Sequence, residues 1–162
     1  AYPGTVSLRL ETFVSVLREA LESLTEGGFR RVLIVNGHGG NGPAAPACAQ
    51  WAAGRPDVKV RFHNWWNAPL TSEKARSIDP EATHASWMES FPWTRVSGVR
   101  PPSDPKPMVD WPAIARLDPI PIRERLGDGS FGGRYQRSDH DMDALWKVAV
   151  EETRALLESS WG

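Results

Sequence analysis

The sequence predicts a layered α/β domain with parallel strands, and two observations support this fold class. Apolar residues recur at three- and four-residue spacing from Ser7 to Glu26, which indicates an amphipathic helix. Two short apolar runs follow, RVLIVN (31–36) and VKVRFHNW (58–65), and an Ala-rich stretch lies between them. The order helix, strand, helix, strand needs crossover connections and therefore predicts parallel pairing.

Each element of this first half has its own signals. The glycines of EGGF (26–29) are expected to end the first helix, since glycine readily adopts the left-handed cap conformation. RVLIVN is almost wholly apolar, as expected for a strand covered on both faces. The Ala-rich segment from Pro43 to Ala53 is predicted to be helical despite Pro46. VKVRFHNW is predicted to be the second strand.

The first helix precedes the first visible strand. In a right-handed parallel layout it should be the crossover from an earlier strand, which these residues do not contain. The RVLIV strand would then present one unpaired edge, which another segment or subunit would have to cover. We therefore expect the domain to be incomplete on its amino-terminal side. A start at Ala1 fits either a chain cut from something longer or removal of an initiator Met.

The second half of the chain is less regular. Seven prolines from Gly98 to Pro121 exclude a continuous helix or central strand, so residues 98–124 are expected to form a Pro-rich excursion or arm. The glycine-rich segment LGDGSFGGRYQRSD (126–139) then leads into a last amphipathic helix, capped by Ser138 or Asp139. Its inner face is expected to carry Leu145, Val148, Ala149, Leu156 and Leu157.

Composition restricts the class of protein. The chain has 162 residues, 40% of them apolar, and a formal net charge of −1, which fits one soluble globular domain over residues 1–162. Balanced charge gives no electrostatic footprint for nucleic acid, and no segment approaches the roughly 20 apolar residues that span a bilayer. Cys48 has no partner for an internal disulfide and no apolar leader is present, so we expect a cytoplasmic protein.

The stretch IVNGHGGNGP (34–43) places a histidine among glycines directly after a predicted strand. Such a turn lies at the carboxyl edge of a parallel sheet, where open α/β folds bind ligands. It lacks the G-x-G-x-x-G and G-K-S/T patterns, although the Gly39–Gly40 backbone could still bind phosphate or a nucleotide. His38 could ligate zinc, manganese or iron, or be a structural histidine bonded to a neighbouring loop. The amides of Asn36 and Asn41 could fix the turn and orient a ligand.

A second segment, THASWMES (83–90), combines a titrating base with a carboxylate. His84 and Glu89 are residue types used for proton transfer and metal ligation, or they are ordinary residues of a capped surface helix. Five helical steps separate two side chains by roughly 140°, so both face one site only if His84 lies at or before the helix start. Thr83 is expected to be the N-cap of a helix of about two turns that Pro92 ends.

Four segments occur in the order and approximate spacing of one known family: YPGTVSLRLETF, GGFRRVLIVNGHGGN, HASWMES and LGDGS. The sequence resembles the creatininase (creatinine amidohydrolase) family, over the distal two-thirds of the domain, chiefly through the hexapeptide NGHGGN. The resemblance implies a three-layer α/β/α fold with a mainly parallel sheet, often assembled as a homo-oligomer and possibly a hexamer. It implies metal-dependent hydrolysis of a C–N bond in a small or cyclic amide.

The resemblance also assigns roles to residues. His38 matches the metal-binding histidine of the hexapeptide, and Gly39, Gly40 and Asn41 match the substrate-binding part of the same loop. His84 matches a histidine that serves proton transfer or oxyanion stabilisation, and Glu89 matches the acidic residue after it, which is assigned to the metal. The expected cofactor of the complete site is a divalent zinc, manganese or iron ion.

Two departures from the family pattern shape the functional expectation. Gly40 stands where creatininase itself has a glutamate ligand, and the family's upstream E-x-H-G cluster is absent. We therefore expect weak or no metal binding by this chain alone. An amidohydrolase completed by a missing amino-terminal segment or an intact subunit is the preferred interpretation. The alternatives are a non-catalytic degenerate paralogue or assembly partner, and a phosphate- or nucleotide-binding α/β module.

Overall fold

The computed structural model describes residues 2–161, which form two compact units. The sheet unit consists of Val6–Pro69 and the segment from Ala149 onwards. The loop unit consists of Leu70–Val148 and the first residues up to Thr5. The last helix of the chain contributes to both units, with its first half in the loop unit and its second half in the sheet unit.

The sheet unit contains the two predicted strands and the two helices before and between them. Its elements are α1 (Leu10–Glu26), β1 (Arg31–Asn36), a 3-10 helix (Gly39–Ala44), α2 (Ala45–Ala53), β2 (Lys59–Asn64) and a 3-10 turn (Trp65–Asn67). The strands pair in parallel, with Arg31 opposite Lys59 and Asn36 opposite Asn64. The predicted parallel pairing is confirmed. The segment from Pro43, predicted to be helical, divides into a 3-10 part and an α part.

One face of the sheet carries the apolar core of this unit. Leu21 of α1 and Cys48 and Trp51 of α2 are buried, and Val58 just before β2 joins them. Alternate residues of both strands pack against this cluster, namely Val32, Ile34, Val60 and Phe62. Because strand side chains alternate between faces, α1 and α2 must cover the same face of the sheet.

The second half of α6 (Asp139–Glu158) covers the opposite face. His63 Nε2 lies 3.0 Å from Thr153 Oγ1, and the Arg61 guanidinium donates to Leu156 O and stacks on Trp161. Arg61 therefore binds a carbonyl at the helix C-terminus, where a cation also compensates the helix dipole. Helices lie on both faces of a parallel sheet, which confirms the predicted α/β/α class.

The expectation that β1 is covered on both faces is wrong. Val35 is 53% exposed, and Leu33 is only partly buried. On that face, α6 contacts β2 through Arg61 and His63. Leu157 was predicted to lie on the inner face of this helix, but it is 52% exposed. Among the described residues, β1 has one hydrogen-bonded strand neighbour, β2.

His63 makes the stability of the fold depend on pH. Burial lowers the pKa of His63, and the Glu152 carboxylate partly offsets this effect. An unfolded chain, with a histidine pKa of about 6.5, binds more protons than the folded chain below that value. We expect the melting temperature to fall as the pH drops from neutral through this range. His63→Gln should flatten the profile; an unchanged difference between neutral and mildly acidic pH would contradict this role.

The loop unit contains short helices joined by long turns. Its elements are α3 (Pro69–Ile78), a 3-10 turn (Trp87–Glu89), α4 (Trp111–Ile114), α5 (Pro119–Leu126) and the first half of α6. Pro119 is tolerated at the start of α5 because the first helical N–H has no partner within the helix. Ser138 caps α6, as its hydroxyl accepts from the Asp141 N–H at 3.1 Å, so one of the two predicted caps is confirmed.

The predicted two-turn helix after His84 is absent, and Thr83 is not its N-cap. Only one 3-10 turn forms, Trp87–Glu89, and Ser86 precedes it. Thr83 instead donates its hydroxyl to Gly132 O at 2.6 Å, and its N–H donates to the Ser86 hydroxyl at 2.9 Å. The Ser86 hydroxyl donates back to Thr83 O at 2.7 Å. These bonds close a turn at the place where a helix would have to begin.

The glycine-rich segment 126–139 supports the turn that Thr83 and Ser86 close. Gly127, Gly129, Gly132 and Gly133 all have positive φ, between +62° and +116°, a region that favours glycine. A Cβ on Gly132 would lie 2.6 Å from Met108 Cα. The Lys106 ammonium donates to Leu126 O, Ser130 O and the Asp128 carboxylate, which holds the segment in place.

None of the helices in the described part of the chain has the length and apolarity needed to cross a bilayer.

Candidate functional site

Asn36 organises the glycine-rich turn at the carboxyl end of β1. Its side chain is buried, and its Oδ1 accepts from the His38 N–H at 3.2 Å and from Asn41 Nδ2 at 3.1 Å. Its Nδ2 donates to His38 O at 2.9 Å and to Asn64 Oδ1 at 2.7 Å. One amide therefore fixes the turn and ties it to the end of β2.

Replacing Asn36 should release this turn. Asn36→Ala leaves Asn64 Oδ1 and two groups of the turn without their partner, and each buried unpaired polar group costs about 1–3 kcal/mol. We expect a loss of about 2–3 kcal/mol in the free energy of unfolding, measured by denaturant titration. Val35→Ala is the matched control because Val35 is half exposed on the same strand. Equal losses in both variants would show that the amide does not organise the turn.

His38 follows this amide and is exposed, with its ring turned back on its own loop. Its Nδ1 accepts from the Gly40 N–H at 3.1 Å, so the neutral ring carries its proton on Nε2. A metal binds an unprotonated ring nitrogen. Binding at Nδ1 displaces the Gly40 N–H, and binding at Nε2 requires the proton to move to Nδ1. Either mode therefore breaks the hydrogen bond between Gly40 and His38.

The same loop offers few donors to a phosphate. The His38 N–H donates to Asn36, the Gly40 N–H donates to His38 Nδ1, and the Asn41 N–H donates to His38 O at 3.1 Å. A phosphate cradle needs several backbone N–H groups that point at the ligand. These bonds speak against the phosphate- or nucleotide-binding alternative.

His84 and Glu89 form a second cluster, in the loop unit. His84 Nδ1 lies 3.7 Å from Glu89 Oε1, an ion-pair distance, and the side chains are 38% and 53% exposed. The Ala85 N–H donates to the same oxygen, Oε1, at 2.8 Å and so fixes the carboxylate. Ala85 has φ of +52°, a strained conformation for a residue with a side chain. The local chain therefore holds a histidine against a carboxylate.

The glycine-rich segment positions His84. The Phe131 N–H donates to His84 O at 3.1 Å, and the Phe131 ring packs edge-on against the imidazole with centroids 4.9 Å apart. Trp111 stacks on the Phe131 ring, with ring centroids 4.6 Å apart. Backbone and ring contacts thus fix both the position and the tilt of His84.

Asp128 anchors the segment that carries Phe131. Burial alone would raise the pKa of the Asp128 carboxyl, but hydrogen bonds from Lys106, Tyr135 and the Ser130 N–H, together with the Lys106 charge, lower it. The hydrogen bond to Asp128 is also the main reason why the pKa of Tyr135 is raised. The Asp128 carboxylate therefore stays ionised and holds the segment that carries Phe131.

The predicted site residues form two sets. His38, Gly39, Gly40 and Asn41 share one loop of the sheet unit, whereas His84 and Glu89 pair in the loop unit. Across residues 2–161, no three His, Cys, Asp or Glu side chains come together in a way that could hold a metal. The described residues therefore do not make up a complete metal centre.

Sequence reasoning missed two contributors to these sets. Asn64 ends β2 at the same register as Asn36 ends β1, so its position directly after an apolar run was a usable signal. Phe131 lies between glycines in the segment 126–139, and no local pattern indicates that its ring packs on His84. That contact depends on how two distant loops pack.

The described residues thus include one parallel α/β unit with a histidine-bearing glycine turn and a second unit with a histidine–carboxylate pair. A model of the creatininase family, described as creatinine amidohydrolase, matches residues 1–157. The chain belongs to the creatininase family. The match covers essentially the whole chain, so the prediction that the resemblance is to the distal two-thirds of the family's domain is slightly off. A search of curated proteins found no match. Metal-dependent amide hydrolysis is the general chemistry of this family.

Proposed function

We propose that the protein takes part in hydrolysis of a C–N bond in a small or cyclic amide, with His84 as its proton-transfer residue. Family membership supports the reaction class. The observation that carries the residue assignment is the 3.7 Å separation of His84 Nδ1 and Glu89 Oε1. A carboxylate on one ring nitrogen orients an imidazole for work at the other nitrogen.

The chemistry assigned to His84 follows from the needs of amide hydrolysis. The oxygen of a water molecule adds to the carbonyl carbon. The C–N bond then breaks readily only if the leaving nitrogen receives a proton. Nδ1 faces Glu89, so Nε2 is the nitrogen that delivers this proton or stabilises the oxyanion.

The direct test is an amidase assay with supplied Zn²⁺ or Mn²⁺, run on the full chain alone and on the chain mixed with an intact creatininase-family subunit. Release of amine or ammonia is measured over a panel of small linear and cyclic amides, creatinine included. Turnover of at least one amide that exceeds the metal-only background supports the proposal. No turnover across the panel would contradict it and would favour the alternative of a non-catalytic paralogue.

His38 is proposed as one metal ligand, with Gly39, Gly40 and Asn41 as loop contacts to substrate and Glu89 as a further candidate ligand. The hydrogen bond from Gly40 to His38 Nδ1 supplies a readout, because metal binding must break it. We expect added Zn²⁺ to shift the Gly40 amide resonance and to speed its hydrogen exchange. His38→Ala should abolish this response, and His140→Ala, a change at an exposed histidine of α6, should preserve it. An identical response in both variants would exclude His38 as a ligand.

A further inference from the structure

The Lys106 ammonium holds three oxygen atoms from one short stretch of the glycine-rich segment. Its Nζ donates to Leu126 O at 2.5 Å, to Asp128 Oδ1 at 2.5 Å and to Ser130 O at 2.7 Å. An ammonium has three N–H donors, so these bonds use all of them. The Lys106 side chain is only 17% exposed, so the bonds are largely shielded from water and are stronger for it.

The main chain of Lys106 holds the same segment a few residues further on. The Lys106 N–H donates to Gly133 O at 3.0 Å, and the Gly133 N–H donates back to Lys106 O at 2.9 Å. Phe131 lies between the two attachments, and its N–H and its ring make the contacts to His84 described above. Lys106 therefore brackets the residue that packs on the imidazole.

The backbone of this segment has little stiffness of its own. Gly127, Gly129 and Gly132 have φ of +62°, +95° and +116°, and glycine loses more conformational freedom on folding than any other residue. Contacts from outside the segment must offset this loss. Hydrogen bonds from a charged donor are roughly twice as strong as neutral ones, so the Lys106 ammonium is a principal constraint on the segment.

We propose that Lys106 is a positioning residue for His84, and that it acts through Phe131 and not by contact with the reacting atoms. This inference rests on the proton-transfer role proposed for His84. Removal of the ammonium releases Leu126 O and Ser130 O, so Phe131 gains freedom and the imidazole loses a contact that fixes it. A misplacement of about 1 Å in a catalytic group can lower turnover on the order of 10²-fold.

The test uses Lys106→Met, which keeps most of the length of the side chain and removes its charge. In the free chain we expect the His84 ring signals in NMR spectra to shift, because the Phe131 ring no longer acts on them from one fixed position. In the assay described above, kcat should fall at least about tenfold and KM should change much less, because the contacts to substrate remain. Lys147→Met, at an exposed lysine of α6, should change neither measurement.

A double-mutant cycle separates positioning from a general loss of stability. Phe131→Leu removes the ring through which Lys106 acts. Once Phe131 is replaced, Lys106→Met should therefore cause little further change in the His84 signals or in kcat. Additive effects of the two changes would overturn the proposal. Unchanged His84 signals or an unchanged kcat in Lys106→Met would overturn it as well.

Tyr135→Phe is the milder variant if Lys106→Met does not fold. It removes only the 2.6 Å hydrogen bond from the Tyr135 hydroxyl to Asp128 Oδ2, on the carboxylate that Lys106 also binds. The His84 signals should move in this variant too, and their constancy would contradict the proposal.

The NMR measurement needs no substrate, so the two proposals can fail separately. If the wild-type chain hydrolyses no amide of the panel, the proposed hydrolase function fails. The His84 signals then still decide whether Lys106 positions the imidazole. If the wild-type chain is active and Lys106→Met retains its full kcat, the hydrolase function stands and the positioning role is refuted.

Discussion

His84→Ala is expected to lower kcat for the hydrolysed amide by roughly 10²- to 10⁴-fold, the usual contribution of a positioned general acid or base. The fold should persist, because the imidazole is partly exposed and the backbone bond from the Phe131 N–H to His84 O does not need the side chain. The measurement is steady-state turnover with metal supplied, together with a melting curve for each protein.

The control for this change is His140→Ala, which removes an exposed histidine from the first turn of α6 and should leave turnover unaltered. A general acid also contributes a limb to the pH–rate profile, which His84→Ala should remove. Glu89→Gln keeps the shape of the side chain but removes the carboxylate that orients the ring at Nδ1, so turnover should fall. Normal turnover in His84→Ala would make His84 a structural residue.

Gly132→Ala is expected to cause the largest loss of stability. The new Cβ would lie 2.6 Å from Met108 Cα and 2.8 Å from Pro107 O, at a φ of +116°. Backbone atoms cannot yield as a flexible side chain can, so we expect a loss of about 3 kcal/mol or more. This corresponds to a fall in melting temperature of roughly 10 °C for a chain of this size.

Gly98→Ala separates steric overlap from backbone strain. Gly98 also has positive φ, +78°, but nothing lies within 4 Å of the position of its Cβ. Its replacement should cost only about 1 kcal/mol. Gly132→Ala should also lower turnover on the order of 10²-fold in protein that remains folded, since Gly132 O holds Thr83 beside His84. Equal stability of the two variants would contradict the packing described for Gly132.

Local patterns predicted most of the sheet unit. The apolar spacing of α1, the β-branched run of β1 and the second strand all depend on contacts between near neighbours, which a pattern in sequence reports directly. The parallel pairing followed from the order of the elements. The hexapeptide NGHGGN likewise indicated the family, and the match over residues 1–157 confirmed it.

The region around His84 could not be predicted in the same way. THASWMES has a cap residue and helix formers, so local rules favoured a two-turn helix. The side chain of Thr83 instead bonds to Gly132, 49 residues later, and Ser86 closes a turn with Thr83. A hydrogen bond between distant residues therefore outweighed the local preference for a helix. This is possible because a helix of only two turns is marginally stable by itself.

The sequence by itself determined the strands and helices of the sheet unit, the turn that carries His38, and the family. Only the tertiary structure decided that Asn36 bonds to Asn64 and that Phe131 packs on His84. It also decided that the Lys106 ammonium binds Ser130 O. The physical reason is that periodicity and caps record interactions within a few residues. These three contacts join residues 28, 47 and 24 positions apart, whose meeting depends on how the whole chain closes.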